Sequence, residues 1–424
     1  MSKSARLNRL IESKHPAAAA ALSPLGRQAA FPNGIPAQSR EARDCEYKAT
    51  IGQITDGKGN PLPLPSMAKL LGDLDPKPAF LYSPQGGFPD LRQAWRERIQ
   101  AEATETLAIS QPMVTLALTH GLSLAADLFA DPNTDVVVPK PSWGNYKAIF
   151  GLRRGAQLLS WDHFGPDNRL NLDAFSKALE QIRYKGVVIL NFPGNPTGYT
   201  PTPEEAQAIV EILLAHRGAP LVVLCDDAYQ GLYHEQNIQR RSLFYDLAGR
   251  VDPGLILPVK IDGATKELAF FGGRVGFMTF ATDEGTGEAL NDKATAIARA
   301  TVSSLPGPSQ QVVLRALADP NIQDEIGVLR ATLTERYLAL KQALKVLEGS
   351  EMGTYPFNSG CFALLSLPSR LNAGELRKQL IEEFSVGLIA IEPVNALRIA
   401  YCSMSTESLA PMLKRIRQAV DKEA

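Results

Sequence analysis

The sequence predicts an α/β fold: a large domain with a mostly parallel sheet flanked by helices, joined to a smaller α+β domain. Three observations predict it. From about Gln111 to Phe280, short apolar, β-branched runs alternate with polar, helix-compatible stretches, the pattern of a sheet covered on both faces. Beyond Pro306 and Pro308 that alternation gives way to long amphipathic helices. A chain of 424 residues is also long for a single core and suits two domains or one large domain with a lobe.

The elements follow in chain order. Residues 1–63 read as an N-terminal arm or short helix plus part of the small domain. The alanine run 17–21 is too short and too closely flanked by prolines to be the core of a signal peptide. Residues 64–305 form the large domain, with strands expected at 113–118, 135–138, 186–190, 221–225, 254–261 and 276–280, and a helix at 124–129. Residues 306–424 form the small domain, with a long helix over 322–347, strands at 361–367 and 397–401, and a closing helix over 406–419. Open α/β sheets bind ligands at the carboxyl ends of their strands, so chemistry is expected where these apolar runs end.

Composition narrows the class. With 45% hydrophobic and 21% charged residues and a net charge of -1, the chain has the make-up of a globular enzyme without general attraction to nucleic acid. The four cysteines, Cys45, Cys225, Cys361 and Cys402, stand far apart without CxxC spacing. Neither a disulfide frame nor a metal site is indicated, and a cytoplasmic location is expected. No apolar run approaches the roughly 18 residues of a membrane helix.

The run Asp262-Gly-Ala-Thr-Lys266-Glu-Leu-Ala-Phe-Phe-Gly-Gly-Arg274-Val-Gly sets a lysine beside apolar and glycine residues, with an arginine eight positions downstream. A lysine against an apolar wall loses hydration, so its pKa falls and the free amine can form a Schiff base. The arginine offers a permanently charged fork to a phosphate, so the pair suits an aldehyde cofactor bearing one. Taken alone, Lys266 reads as a solvated surface lysine, since lysine is seldom buried; the rest of the chain reverses that reading. In Asn191-Phe-Pro-Gly-Asn195-Pro-Thr-Gly198, two prolines and two glycines fix a turn that aims the Asn195 amide at the strand ends, although any tight turn has such a composition. Asp226 closes the apolar run 221–225; it is either the cap of a following helix or a buried acid facing a cation such as a protonated pyridine nitrogen, with Tyr229 able to donate to a ring hydroxyl. In Thr119-His120-Gly121-Leu122-Ser123 the amides of Leu122 and Ser123 are expected at a helix N-terminus, facing an anion. Trp143, in Pro141-Ser-Trp-Gly-Asn145-Tyr146, is either core or a lid stacking on an aromatic ring. Arg398 interrupts the apolar run 396–400 and needs either a structural carboxylate or a substrate α-carboxylate.

Together these residues resemble the fold-type I pyridoxal-phosphate aminotransferases, closest to the aspartate aminotransferase subgroup, from about Ala49 to Met404. The resemblance implies a cofactor, pyridoxal 5'-phosphate, and a role for each matching residue. Lys266 would be the Schiff-base lysine, Arg274 the phosphate arginine and Asp226 the partner of the pyridine nitrogen. Asn195 and Tyr229 would donate to the ring hydroxyl, and Trp143 would stack on the ring. Gly121, Leu122, Ser123 and Thr265 would join the cofactor's surroundings. Tyr82, in Leu81-Tyr-Ser-Pro-Gln-Gly-Gly-Phe, would reach a neighbouring subunit's phosphate. For the substrate, Arg398 would hold the α-carboxylate, with Phe362 packed near it and Gly52 approaching by its backbone. Arg299 stands where dicarboxylate-specific members supply an arginine across the dimer. Three departures stand out: Gly263 in place of a phosphate-binding serine, Tyr146 in place of a histidine behind the aspartate, and first 48 residues unlike the usual arm.

The implied activity is ping-pong amino transfer between an L-amino acid, aspartate or glutamate where Arg299 acts, and a 2-oxo acid, in a homodimer with shared sites and no nucleic-acid or membrane partner. Three alternatives stay open: a lyase or decarboxylase using the same cofactor, an aminotransferase for aromatic or neutral amino acids, and a non-catalytic cofactor-binding regulator. The last would carry a basic DNA-binding extension, for which no segment has the charge.

Overall fold

The β-branched runs assemble into the centre of the molecule in the computed structural model, which describes residues 1–423. A seven-stranded sheet comprises β2 (Met113–Leu116), β3 (Thr134–Lys140), β4 (Gln157–Asp162), β5 (Lys185–Leu190), β6 (Leu221–Asp226), β7 (Ile256–Gly263) and β8 (Val275–Phe280), in the order β2-β8-β7-β6-β5-β3-β4. Six of the strands point the same way, and β8 runs antiparallel to both of its neighbours, β2 and β7. Residues alternate between faces along each strand, and the two faces carry separate cores. Val137, Val188 and Val223 face one core, while Val136, Val187 and Leu224 face the other. Each such fully buried side chain contributes on the order of 2 kcal/mol.

A second sheet contains β9 (Gly353–Thr354), β10 (Phe362–Ser366), β12 (Ile389–Ile391) and β13 (Ala396–Ala400), ordered β12-β13-β10-β9 and wholly antiparallel. Beside it a short parallel pair joins β1 (Tyr47–Lys48), near the N-terminus, to β11 (Val386–Gly387). Helices Ala373–Phe384 and Thr406–Lys422 cover this sheet and close a third core. The first 28 residues form three short helices, Lys3–Lys14, Pro16–Ala21 and Pro24–Gln28, capped by Ser2, His15 and Ser23.

Two local differences from the sequence expectation have clear causes. The strand expected at 113–118 ends at Leu116, and the helix expected at 124–129 begins at Ala117. Ala117 adopts a left-handed φ of 56°, its N–H donates to the Arg274 carbonyl, and the Leu116 N–H donates to Nδ1 of His120, so the chain turns directly from strand to helix. β4 was not expected at all. It is an edge strand, and Gln-Leu-Leu-Ser-Trp-Asp lacks the continuous apolar run of an interior strand.

The long helix Ile322–Ala343 joins two cores. Ile322, Ile326, Leu329 and Leu333 pack with the large sheet, whereas Tyr337 and Leu340 pack with the small one. The helix Gly307–Leu317 also belongs to the large core through Val312, Val313 and Ala316. The division between cores therefore falls inside the long helix, whereas the sequence pattern changes at Pro306.

Candidate active site

The carboxyl ends of the parallel strands gather most of the residues singled out from the sequence. β6 ends in Asp226, which is 3% exposed. A turn follows it rather than a helix, so the capping reading fails. The Tyr146 hydroxyl donates to Asp226 Oδ2 at 2.6 Å, while Oδ1 is buried without a partner. Burial pushes the Asp226 carboxyl up from its ordinary value, and the Tyr146 hydrogen bond and the charge of Lys266 oppose that rise.

Lys266 comes from the short helix Ala264–Glu267, which continues directly from β7. Its Nζ lies 5.2 Å from the centre of the Tyr229 ring. Desolvation lowers its pKa; the Asp226 carboxylate opposes the shift and Arg274 reinforces it. The solvated-surface reading of Lys266 is therefore set aside, because the amine sits within the field of a buried acid. Thr265, the residue before it, is buried with Oγ1 unpartnered. Arg274 is exposed at the start of β8 and donates to the Phe271 carbonyl at 3.5 Å.

Gly263 pairs with Gly276 across β7 and β8. A Cβ at Gly263 would lie 2.6 Å from both the Gly276 Cα and the Val275 carbonyl oxygen. A serine at this position would need the two strands to separate. The absence of that serine is a packing requirement of this strand pair.

Asn195 and Arg398 meet from opposite cores. Arg398, on β13 and 1% exposed, donates through Nη1 to Asn195 Oδ1 at 2.8 Å and through Nη2 to the Thr50 carbonyl at 2.7 Å. Its Nε is buried and unpartnered, and no carboxylate holds it among the described residues. Desolvation pulls its pKa down to about 10. Its guanidinium carbon lies 4.2 Å from the centre of the Phe362 ring, which meets the Tyr229 ring edge-on at 5.4 Å. Gly52 completes the cluster: a Cβ there would overlap the tip of Phe362. Trp143 is half-buried and meets Tyr146 edge-on, with ring centres 5.4 Å apart at 88°.

Other expected residues stand apart. The helix Ala117–Phe129 starts four residues before Gly121, so Gly121, Leu122 and Ser123 lie in its second turn, where their amides are used within the helix. The expectation that these amides face an anion is corrected accordingly; the unused amides belong to the first turn. Ser123 instead accepts through its hydroxyl from Arg153. Tyr82 is 93% exposed, beside Phe80 and Leu81, and Arg299 is exposed in the last turn of the helix Glu284–Thr301.

Sequence reasoning missed Asn191. Its Nδ2 donates to the Asp226 carbonyl at 2.8 Å, and its Oδ1 accepts from the Asn195 N–H at 2.9 Å, so one side chain ties the two turns together. The signal available was its place as the first residue after β5, one strand from Asp226. Thr50 was missed as well, and it acts through its carbonyl, which no side-chain pattern reveals. No cluster of three or more metal-ligating side chains occurs among the described residues.

The site thus offers three buried polar atoms without partners: an acid oxygen, a hydroxyl and a guanidinium nitrogen. They suit a ligand with a cationic nitrogen and anionic groups. Comparison with known proteins agrees. An aspartate aminotransferase of Rhizobium meliloti (strain 1021) is 25% identical over 359 residues, covering 80% of this chain and 82% of that protein. A tyrosine aminotransferase of Klebsiella pneumoniae is 27% identical over 366 residues, covering 82% and 88%. The crystal structure of an aminotransferase from Anaerococcus prevotii superposes with a TM-score of 0.84 at 19% identity, covering 95% of this chain and 99% of that one, and shows the same fold. The family model for aminotransferase class I and II matches residues 48–416, and the chain therefore belongs to this family of pyridoxal-phosphate-dependent enzymes.

Proposed function

We propose that this aminotransferase takes the amino group of an acidic L-amino acid, aspartate or glutamate, and passes it to a 2-oxo acid in a ping-pong cycle. The observation that carries the site assignment is the unpartnered Oδ1 of Asp226, buried at a strand end within the field of Lys266. It fits a protonated pyridine nitrogen, as Thr265 Oγ1 and the carboxylate-free Arg274 fit a phosphate. Pyridoxal phosphate, when bound, supplies an electron sink conjugated to the substrate α-carbon.

The chain's own residues do the rest. Lys266, whose pKa desolvation lowers, is the amine that would take the substrate α-proton. Asp226, through its unpartnered Oδ1, would hold positive charge on the ring nitrogen. Arg398 would hold the substrate α-carboxylate, while Asn195, whose Oδ1 accepts from Arg398, would donate through Nδ2 to the ring hydroxyl together with the Tyr229 hydroxyl. Trp143 and Phe362 limit the tilt of ring and substrate, and Gly52 lets the backbone approach.

The acidic donor rests on Arg299 and on the aspartate aminotransferase relative. In this reading two copies form a homodimer, with Tyr82 of each entering its partner's phosphate site and Arg299 its partner's substrate pocket. The exposed Phe80-Leu81-Tyr82 segment supports that pairing. The four unpaired, buried thiols favour a reducing compartment, the cytoplasm, and no helix is long and apolar enough to cross a membrane. We take 64–305 as the cofactor-binding domain and 306–424, with part of 1–63, as the small domain.

Single amino acids added to the holoenzyme test the donor. Bleaching of the visible cofactor band by aspartate or glutamate, with leucine and phenylalanine silent, is the expected result. The reverse pattern would retire the acidic pocket in favour of an aromatic donor, as in the name of the Klebsiella relative. Ammonia released without an aminated cofactor would mark elimination instead.

A further inference from the structure

We propose that Tyr146 is a positioning residue for this reaction: its hydroxyl fixes the Asp226 carboxylate with Oδ1 toward the ring nitrogen, and its ring seats the edge of Trp143. The inference rests on the function proposed above and assigns work to a residue that the resemblance marks only as a departure.

The geometry is specific. Tyr146 is 1% exposed, so its hydroxyl has no access to bulk water as an alternative partner. It donates to Oδ2 at 2.6 Å, a short hydrogen bond of the kind formed to a carboxylate. Asn191 holds the backbone of the same aspartate through its carbonyl. With Oδ2 and the backbone both tied, Oδ1 is the one oxygen left for a ligand, and it has no other partner. The same tyrosine ring meets Trp143 at 88°. One side chain thus sets the acid at the end of the ring and the indole proposed to lie over its face.

A phenol differs from the imidazole seen at this place in the resembling family. A histidine titrates near neutral pH and would bring a second variable charge behind the acid. Burial and the neighbouring Asp226 charge push the Tyr146 hydroxyl well above its ordinary value, so it donates as a neutral group across the working range. The other titratable groups facing the pair are Lys266, from the helix Ala264–Glu267, and Tyr229, from the turn after β6. The enzyme therefore holds its acid by a neutral donor, and this contact adds no titrating charge behind the acid.

Tyr146→Phe keeps the ring and removes the hydrogen bond. The expected results are an apoprotein affinity for pyridoxal phosphate lower by about tenfold and a kcat lower by about ten- to a hundredfold, with KM for the amino donor changed less than twofold. The visible absorbance of the bound cofactor should shift. Tyr146→His restores a donor: kcat should recover at least in part, and a pH titration of that absorbance should gain one inflection, near pH 6–7, in addition to any the wild-type protein shows. Unchanged cofactor affinity and kcat in Tyr146→Phe, or a His variant no better than Phe and without the new inflection, would overturn the proposal. Should the Phe variant not fold, the His variant alone decides through its inflection. A wild-type protein that develops no visible band with pyridoxal phosphate would instead overturn the site assignment on which this inference rests.

Discussion

Asp226 and Asp227 are neighbours in the chain and opposites in their surroundings. Asp226 has one oxygen held by Tyr146 and the other held by nothing. Asp227 lies on the other side of the strand end, in a saturated network. Lys260 of β7 bonds Asp227 and lies 3.3 Å from Asp262, which in turn accepts from the Trp95 indole at 3.0 Å. All four members of that network are buried. Alternation along an extended strand separates them: one residue's shift moves a side chain from one face to the other. The contrast teaches how to tell a structural charge from a chemical one in a buried setting. A charge whose partners are all supplied by the fold stabilises; a charge left half-partnered awaits a ligand.

The largest expected effect falls on the open side. Lys266→Ala should lower turnover on the order of 10⁴-fold while leaving the thermal midpoint of the apoprotein within a few degrees. Near-normal turnover in steady-state assays would break the assignment. Asp226→Asn and Asp227→Asn then sharpen the comparison. Asp226→Asn should reduce kcat by about 10²–10³-fold with apoprotein stability unchanged or higher, since a buried carboxylate with one unpartnered oxygen is relieved. Asp227→Asn should cost about 3 kcal/mol in denaturant unfolding with little direct effect on chemistry. An exchange of these two outcomes would show that the roles are reversed.

His163 supplies a control, because both of its ring nitrogens are buried without partners although nothing else in its surroundings suggests a ligand. It packs among Trp161, Phe164, Phe192 and Tyr199, and burial lowers its pKa to about 3. A base whose folded pKa is depressed contributes stability above its unfolded value, near 6.5, and loses it as pH falls toward the folded one. Between pH 7.5 and pH 5 that amounts to about 2 kcal/mol, measured as a shift in urea midpoint. His234, lowered to about 4 mainly by burial, acts in the same direction. His163→Phe should flatten the acid limb without touching activity. The smallest effect is expected at the exposed arginine: Arg299→Ala should raise KM for aspartate about tenfold and leave KM for phenylalanine unchanged.

Much of this was legible beforehand. Asp226 ends an apolar strand and Arg398 interrupts one, where polar residues are costly unless used, while Asn195 and Lys266 lie in the turn and the short helix that follow two others. The spacing of Lys266 and Arg274 belongs to a specific signature and needed no three-dimensional knowledge. The rest depended on interactions that leave no local mark. The helix start at Ala117 is set by bonds to Arg274 and His120, the first more than 150 residues away along the chain. Asn191 looks like any turn asparagine until Asp226 is placed beside it. The reason for Gly263 appears only when Gly276 is brought across the strand pair.

The bond between Arg398 and Asn195 joins a side chain anchored in the small sheet to one anchored in the large sheet, while the helix Ile322–Ala343 runs through both cores. Arg398 keeps Nε without a partner, so a substrate carboxylate can add to that tether rather than break it. An arriving amino acid would then rest on a guanidinium already braced by both sheets, and an amine without a carboxylate would leave that nitrogen empty.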